Sequence, residues 1–234
     1  LAERVVAAAR AVAGPGARIG VAGRDLVGGQ RLQIAADQSF PAASVVKLVI
    51  ATEAFRQHES GRRPLTDAMR ADLSRMLTAS DNVAADRLLD LLGLANVNGV
   101  IATLGLAGTH LTNYFVAAPR DSSVLNRTSP ADMARYLELL AADQVVSPTA
   151  SRELRALLFQ NQDGSKLRRG LPPDARVAHK SGWFAGVSND VGIVYHGQSA
   201  YVLAVFTQGI PNAETANQTV AAIARAVHAA WGPR

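Results

Sequence analysis

From about residue 65 to residue 160 the apolar residues of this 234-residue chain follow a helical period, and strand-like patterning is confined to the segments on either side. A sheet that uses both strand regions must therefore be assembled from the two ends of the chain, with the helical stretch inserted between them. The early strand signal runs from Arg18 to Val27, turns at Gly28 and Gly29, and resumes through Leu32, Ile34 and Ala36, which reads as a β-hairpin. The late signal follows Pro172 and Pro173 in ARVAHKSG, DVGIVYHG and AYVLAVFTQG. Residues 1 to 13 have helical composition and stop at Gly14, Pro15 and Gly16. The tail from Asn212 to Trp231 is helical again, with Val220, Ile223, Val227 and Trp231 on one face. Within the middle region SRMLTASDNVAADRLLDLLG, SPADMARYLELLAA and SPTASRELRALLFQ are separate segments, two of them with Ser129 and Ser147 as caps before proline. The order is helix, strands, helices, strands, helix. No repeat, low-complexity tract or linker interrupts it, so the expectation is one α/β sandwich carrying an all-α insertion.

Composition narrows the function classes. With 48% apolar and 18% charged residues the chain is long enough for a substantial core. Arginines break the alanine-rich segments, so no membrane span is expected. The absence of cysteine excludes disulfides, thiolate nucleophiles and Cys-ligated zinc. A net charge of +5 comes from scattered arginines with no run of five basic residues, which reads as a solvated surface rather than a nucleic-acid footprint. The first residues carry no basic region or cleavage signature, so any secretion signal is expected to have been removed or never present. Of 24 basic residues only Lys47, Lys166 and Lys180 are lysines. A chain that otherwise uses arginine is expected to keep lysine where a removable proton matters.

Two of these lysines fall in motifs. Ser44-Val45-Val46-Lys47 opens a helix, SVVKLVIATEAF, that is apolar on nearly every face. One turn brings the amine beside the hydroxyl, and the helix N-terminus favours developing negative charge. A lysine desolvated among Val45, Leu48, Val49 and Ile50 should have a lowered pKa and can then take the serine proton. Ser80-Asp81-Asn82 lies in the loop or helix start before VAADRLLDLL, and Lys180-Ser181-Gly182 ends an apparent strand. Taken singly, each has an ordinary alternative: a cap with an incidental lysine, a helix cap, a strand-end turn.

In that order, with Ser in place of Thr in the third, these three motifs resemble the set found in class A β-lactamases and penicillin-binding proteins. The resemblance extends to RTSPADMARYLELL, to SDNVAADRLL, and to the stretch NQDGSKLRRGLPPDARVAHKSGWFAGVSNDVGIVYHG, and so covers nearly the whole chain. It implies an α+β fold of the β-lactamase/transpeptidase type: a five-stranded antiparallel sheet with flanking N- and C-terminal helices and an inserted all-α region. Residues 1–234 would form a single catalytic domain, with the α/β part about 1–43 and 165–234 and the all-α part about 44–164. It also implies an exported serine hydrolase that works as a monomer, without cofactor, on a small β-lactam or D-alanyl peptide-like molecule.

The resemblance assigns roles. Ser44 would attack a carbonyl and Lys47 take its proton. Ser80 would relay a proton to the leaving nitrogen in the positive field of Lys180. Asn82 would hold Lys47 and the substrate amide, and the backbone N–H groups of Ser44 and Trp183 would form the oxyanion hole. Ser181 would bind the substrate carboxylate, with Gly182 beside it among the substrate-binding residues, and Lys166, fourteen residues before Lys180, falls where some family members place a carboxylate-binding arginine; a surface position is the alternative for Lys166.

Two departures stand out. The family's deacylating glutamate has no counterpart: from Leu91 to Pro130 there is no glutamate, and Asp121 is the sole acid. Counting back from Pro130 puts the expected position near Asn113, an amide. Ser80 also follows Ser44 at a shorter interval than in the family, so a more open cleft rim is expected. Three outcomes stay open: a β-lactamase in which Asp121 or another group activates water, a D-alanyl peptidase or esterase that holds β-lactams for long, or a binding module without turnover. His58, His110, His179, His196 and His228 show no metal-ligand spacing, so no metal is expected, and alternation should turn His179 away from the cleft.

Overall fold

Helix α1 (Ala2–Ala13) ends at Gly14, whose φ of 74° suits glycine, and the chain then enters β1 (Arg18–Asp25). The structure, a computed structural model, describes residues 1–116 and 125–233. β1 forms a hairpin with β2 (Arg31–Ile34), placing Val21 opposite Ile34 and Arg24 opposite Arg31. β5 (Arg176–Phe184), β6 (Val187–His196) and β7 (Ser199–Gln208) form an antiparallel meander. The two groups join where β1 lies against β7, from Arg18 opposite Gln208 to Asp25 opposite Tyr201. The five-stranded antiparallel sheet therefore has the order β2-β1-β7-β6-β5 and is built from both ends of the chain, as the patterning predicts.

β7 is apolar at almost every position because both of its faces are covered. Tyr201, Leu203 and Val205 pack with Val5 and Ala9 of α1 and with Val220, Ile223 and Val227 of α8 (Ala213–Trp231). Val202, Ala204 and Phe206 face the other way, into a core shared with the inserted helices. At the centre of that core runs α2 (Lys47–Glu59), with ten of its 13 residues buried, so it has no solvent face to make it amphipathic. Its polar side chains are paired: Thr52 with the Tyr136 hydroxyl at 2.9 Å, and Glu53 with Arg56 at 2.6 Å and Gln57 at 2.7 Å.

Around α2 lie α3 (Asp67–Thr78), α4 (Asn82–Leu92), α5 (Leu94–Thr103), α6 (Pro130–Ala141) and α7 (Pro148–Leu158). Ser129 and Ser147 cap α6 and α7 as expected, accepting from Asp132 N and Ala150 N at 3.1 Å each. The segment SRMLTASDNVAADRLLDLLG does not run through. It breaks at Ser80, whose φ of 60° is left-handed, and Asp81 restarts the chain by accepting from Ala84 N at 3.0 Å. α5 and a two-residue ladder between β3 (Phe40–Pro41) and β4 (Arg127–Thr128) add to the elements read from pattern. Each is too short or too weakly periodic to signal itself.

Candidate active site

The approach to Ser44 is fixed by backbone contacts from distant strands. Asn189 on β6 donates to the carbonyls of Pro41 at 2.9 Å and Ala42 at 3.3 Å, and Ala42 N donates to Asn126 O at 2.8 Å. Ala43 then adopts a left-handed φ of 48°, and Ser44 lies in a 3-10 turn, Ala43–Val46, that leads into α2. The helix expected from Ser44 thus becomes regular α only at Lys47. β5 runs against this turn. A Cβ on Gly182 would stand 2.6 Å from Ser44 N and 3.1 Å from Val45 N, so only glycine lets the strand come this close to the N–H groups.

Lys47 is buried, and its ammonium donates to Ser80 O and Asn82 Oδ1 at 2.7 Å each. The strained turn at Ser80 aims that carbonyl at the lysine. On another side the Phe115 ring covers the ammonium at 4.7 Å from its centroid. Burial first, and then the charge of Lys180, bring the Lys47 pKa down to about 7, against the opposing pull of Asp81 and Asp86. Lys180 reaches the same loop from β5, donating to Ser80 Oγ at 3.0 Å and Ser181 O at 2.7 Å. Burial lowers its pKa to about 8, with Asp190 and Asp163 opposing and Lys166 assisting. At neutral pH one lysine is therefore poised to lose its proton and the other mostly keeps it, with the Ser80 hydroxyl bonded to the second.

The cleft over these groups has two lobes that meet at Trp183, Phe184 and Ala185. One, of about 540 Å³, is lined by Ser44, Asn82, Asn113, Tyr114, Phe115 and Asn126. The other, of about 470 Å³, is lined by Ser80, Ser181, Asp163, Lys166 and Asn217 among others. Ser44, Lys47, Ser80, Asn82, Lys180, Ser181 and Gly182 are thus brought to one place, with Trp183, 69% exposed, at its rim.

A profile of the β-lactamase enzyme family matches residues 2–74 and 71–231. The chain belongs to the β-lactamase enzyme family. Within it the chain is similar to β-lactamase AST-1 of Nocardia asteroides, 29% identical over 93% of this chain and 80% of that protein. Among solved structures it is similar to a β-lactamase from Sphaerobacter thermophilus, with a TM-score of 0.91 at 28% identity over 97% of both chains. It is also similar to PBP-A, with a TM-score of 0.88 at 25% identity over 98% of this chain and 96% of that one. The fold and the class A-like kinship read from the sequence are thereby shown.

Lys166 is not on the surface: its side chain is 2% exposed, in the wall of the second lobe, with its ammonium engaged by Asp163. Asn113 does line the first lobe, but the side chain carried over Lys47 is Phe115, two residues on. Asp121 lies outside the described residues. His179 points away from the cleft and bonds through Nδ1 to Asp190 at 2.9 Å. Among the described residues no cluster of three or more His, Asp or Glu is placed to hold a metal, and no helix is long and apolar enough to cross a membrane.

Four contributors escaped the sequence reading: Asp86, Phe115, Asp163 and Asn189. Asp86 accepts from Phe115 N at 2.7 Å and Val116 N at 2.9 Å, and this grip places Phe115 over Lys47. Its position four residues after Asn82, on the same helix face, was the available signal.

Proposed function

We propose that the chain is a serine hydrolase that opens the cyclic amide of β-lactams by forming an acyl-enzyme at Ser44, and that it releases the acyl group slowly. The observation that carries this is the convergence of two buried lysines on Ser80, Lys47 from one helical turn beyond Ser44 and Lys180 from β5, with burial lowering the pKa of Lys47 the further. Neutral Lys47 takes the proton as Ser44 Oγ attacks the carbonyl carbon. The oxyanion is met by the N–H groups of Ser44 and Trp183. As the C–N bond breaks, Ser80 gives its proton to the leaving nitrogen and recovers one from Lys47, while charged Lys180 supports the developing negative charge on Ser80 Oγ. Asn82 Oδ1 holds Lys47 in register throughout.

Release requires water beside the ester, and there the site offers Phe115. No Asp or Glu is among the described residues lining the lobe of Ser44. The carboxylates of Asp81 and Asp86 are already accepting from backbone N–H groups. A β-lactam adduct is therefore expected to persist, and a D-alanyl peptide or ester, whose leaving group departs and leaves the ester open to water or an amine, is the substrate class the same chemistry turns over. One relative by structure, a PBP-A variant, is described as an acyl-enzyme complex with penicillin G.

The test is to mix the protein with a chromogenic cephalosporin and follow colour and intact mass together. One equivalent of colour and one stable adduct, both lost in Ser44→Ala, are expected. Sustained turnover overturns the slow release, and absence of both adduct and turnover overturns the acylating reading in favour of a binding module. Asp121→Asn tests the remaining candidate base: a lengthened adduct lifetime would make Asp121 the group that activates water, and an unchanged one would dismiss it.

A further inference from the structure

The second lobe holds a pair of charges that acylation does not use. The Lys166 ammonium donates to the Asp163 carboxylate and to Ser165 Oγ at 3.3 Å. Ser165 donates to Asp163 Oδ1 twice, from its backbone at 3.0 Å and its hydroxyl at 2.6 Å, and the Ser181 hydroxyl acts on the same carboxylate. Burial works against the charge on Asp163, but these donors prevail and hold it well below the usual carboxylate range. Asp163 is therefore an anion at neutral pH.

The exposures of the two partners differ in a telling direction. The Lys166 side chain is 2% exposed and that of Asp163 is 22% exposed. Both line this lobe, and Asp163 also lines the adjoining recess beside His179; of the two, the anion is the more exposed. A molecule entering this lobe meets a carboxylate flanked by hydroxyl and amide groups, with the nearly buried Lys166 as the one cation among the described wall residues. A free carboxylate placed beside Ser181 would face Asp163 in a partly desolvated recess, where like charges repel more strongly than in water. A neutral group that donates hydrogen bonds would find acceptors at Asp163.

We propose that Asp163 is a specificity-determining residue that turns this lobe toward ligands carrying an uncharged hydrogen-bond donor, a carboxamide above all, beside Ser181 in place of a free carboxylate. The proposal rests on acylation at Ser44, because that fixes which end of the ligand enters the lobe. β-Lactams with their usual carboxylate still enter under the field of Lys180, at a disadvantage set by Asp163.

The test separates binding from chemistry. A cephalosporin is prepared as its free acid and as its primary carboxamide, and both are titrated calorimetrically into Ser44→Ala and into Ser44→Ala with Asp163→Asn. In the first the carboxamide is expected to bind more tightly than the acid. In the second the acid should gain about tenfold relative to the carboxamide, as removal of a nearby like charge requires. Tighter binding of the acid to Ser44→Ala, or a relative change below about threefold on replacing Asp163, overturns the proposal. Asp163→Ser, which leaves a hydroxyl beside Ser165, is carried in parallel, and thermal melts show which variant is folded and is to be read. Intact mass of the protein with Ser44 in place, after mixing with either ligand, reports the acylation reading separately. A missing adduct there would overturn that reading, and the binding ratio would still decide the role of Asp163.

Discussion

If Lys47 accepts the proton of Ser44, acylation must fall steeply on the acid side of neutrality. Lys47 works only when neutral and Lys180 only when charged, so the active fraction is the product of the two. With pKa values of about 7 and about 8, roughly three-quarters of each group is in its working form at pH 7.5, against about 3% of Lys47 and nearly all of Lys180 at pH 5.5. The acylation rate should therefore drop about 20-fold between pH 7.5 and 5.5, and should fall again above pH 8 as Lys180 loses its charge. The measurement is the rate at which the Ser44 adduct appears by rapid-quench mass spectrometry under single-turnover conditions, which keeps release out of the reading. A rate flat within about twofold across that interval, or an acid limb in the ordinary carboxylate range near 4, would refute the assignment and make a carboxylate the acceptor.

Other perturbations test the frame around this chemistry. Phe115→Glu puts a carboxylate where the ring now covers Lys47, and the adduct lifetime should shorten about tenfold or more; an unchanged lifetime, measured by mass, would show that position 115 does not control release. Gly182→Ala drives a methyl group into the backbone of the Ser44 turn at 2.6 Å. A stability loss of about 1–3 kcal/mol in urea is expected, with acylation reduced beyond what the unfolded fraction explains; wild-type acylation would contradict the close approach. Asn189→Leu strips the donor from the Pro41 and Ala42 carbonyls and should cost about 1–3 kcal/mol. A change below about 0.5 kcal/mol in chemical denaturation would mean that water replaces the amide.

The parts of the site that were legible in the sequence are those whose partners are close along the chain. Ser44 and Lys47 are one helical turn apart, Ser80 and Asn82 are two residues apart, and Lys180 and Gly182 are two residues apart within β5, which runs on to Phe184 past the strand end read from the sequence, so local geometry places each pair. The five strands were legible because β7 needs apolar residues on both faces and the hairpin carries its own glycine turn. What was hidden depends on contacts between remote segments. Phe115 reaches Lys47 because Asp86, 29 residues earlier, grips its N–H group, a contact that counting back along the loop to Asn113 does not reveal. Lys166 was singled out by its spacing from Lys180, but whether it faces the lobe as a cation depends on Asp163 and on which of the two is more exposed. No periodicity encodes that. Asn189 sits between Ser188 and Asp190 near the start of β6, and nothing in these neighbours signals that its amide supports the turn before Ser44 from 147 residues away.

The seam between β1 and β7 carries a consequence in time. Its strands are separated by nearly the whole chain, Arg18 pairing with Gln208, while the helical insertion and the β5-β6-β7 meander are local. High contact order of this kind slows folding, because the long loop must close before the seam gives anything back. During synthesis the β1-β2 hairpin has one unpaired edge until β7 emerges, and an isolated hairpin is marginal in water. The inserted helices can form meanwhile, but Gly182 cannot meet the turn at Ser44 until the meander has formed and docked. Acylation competence should therefore be among the last properties the folding chain acquires, and the first a truncation within β7 removes.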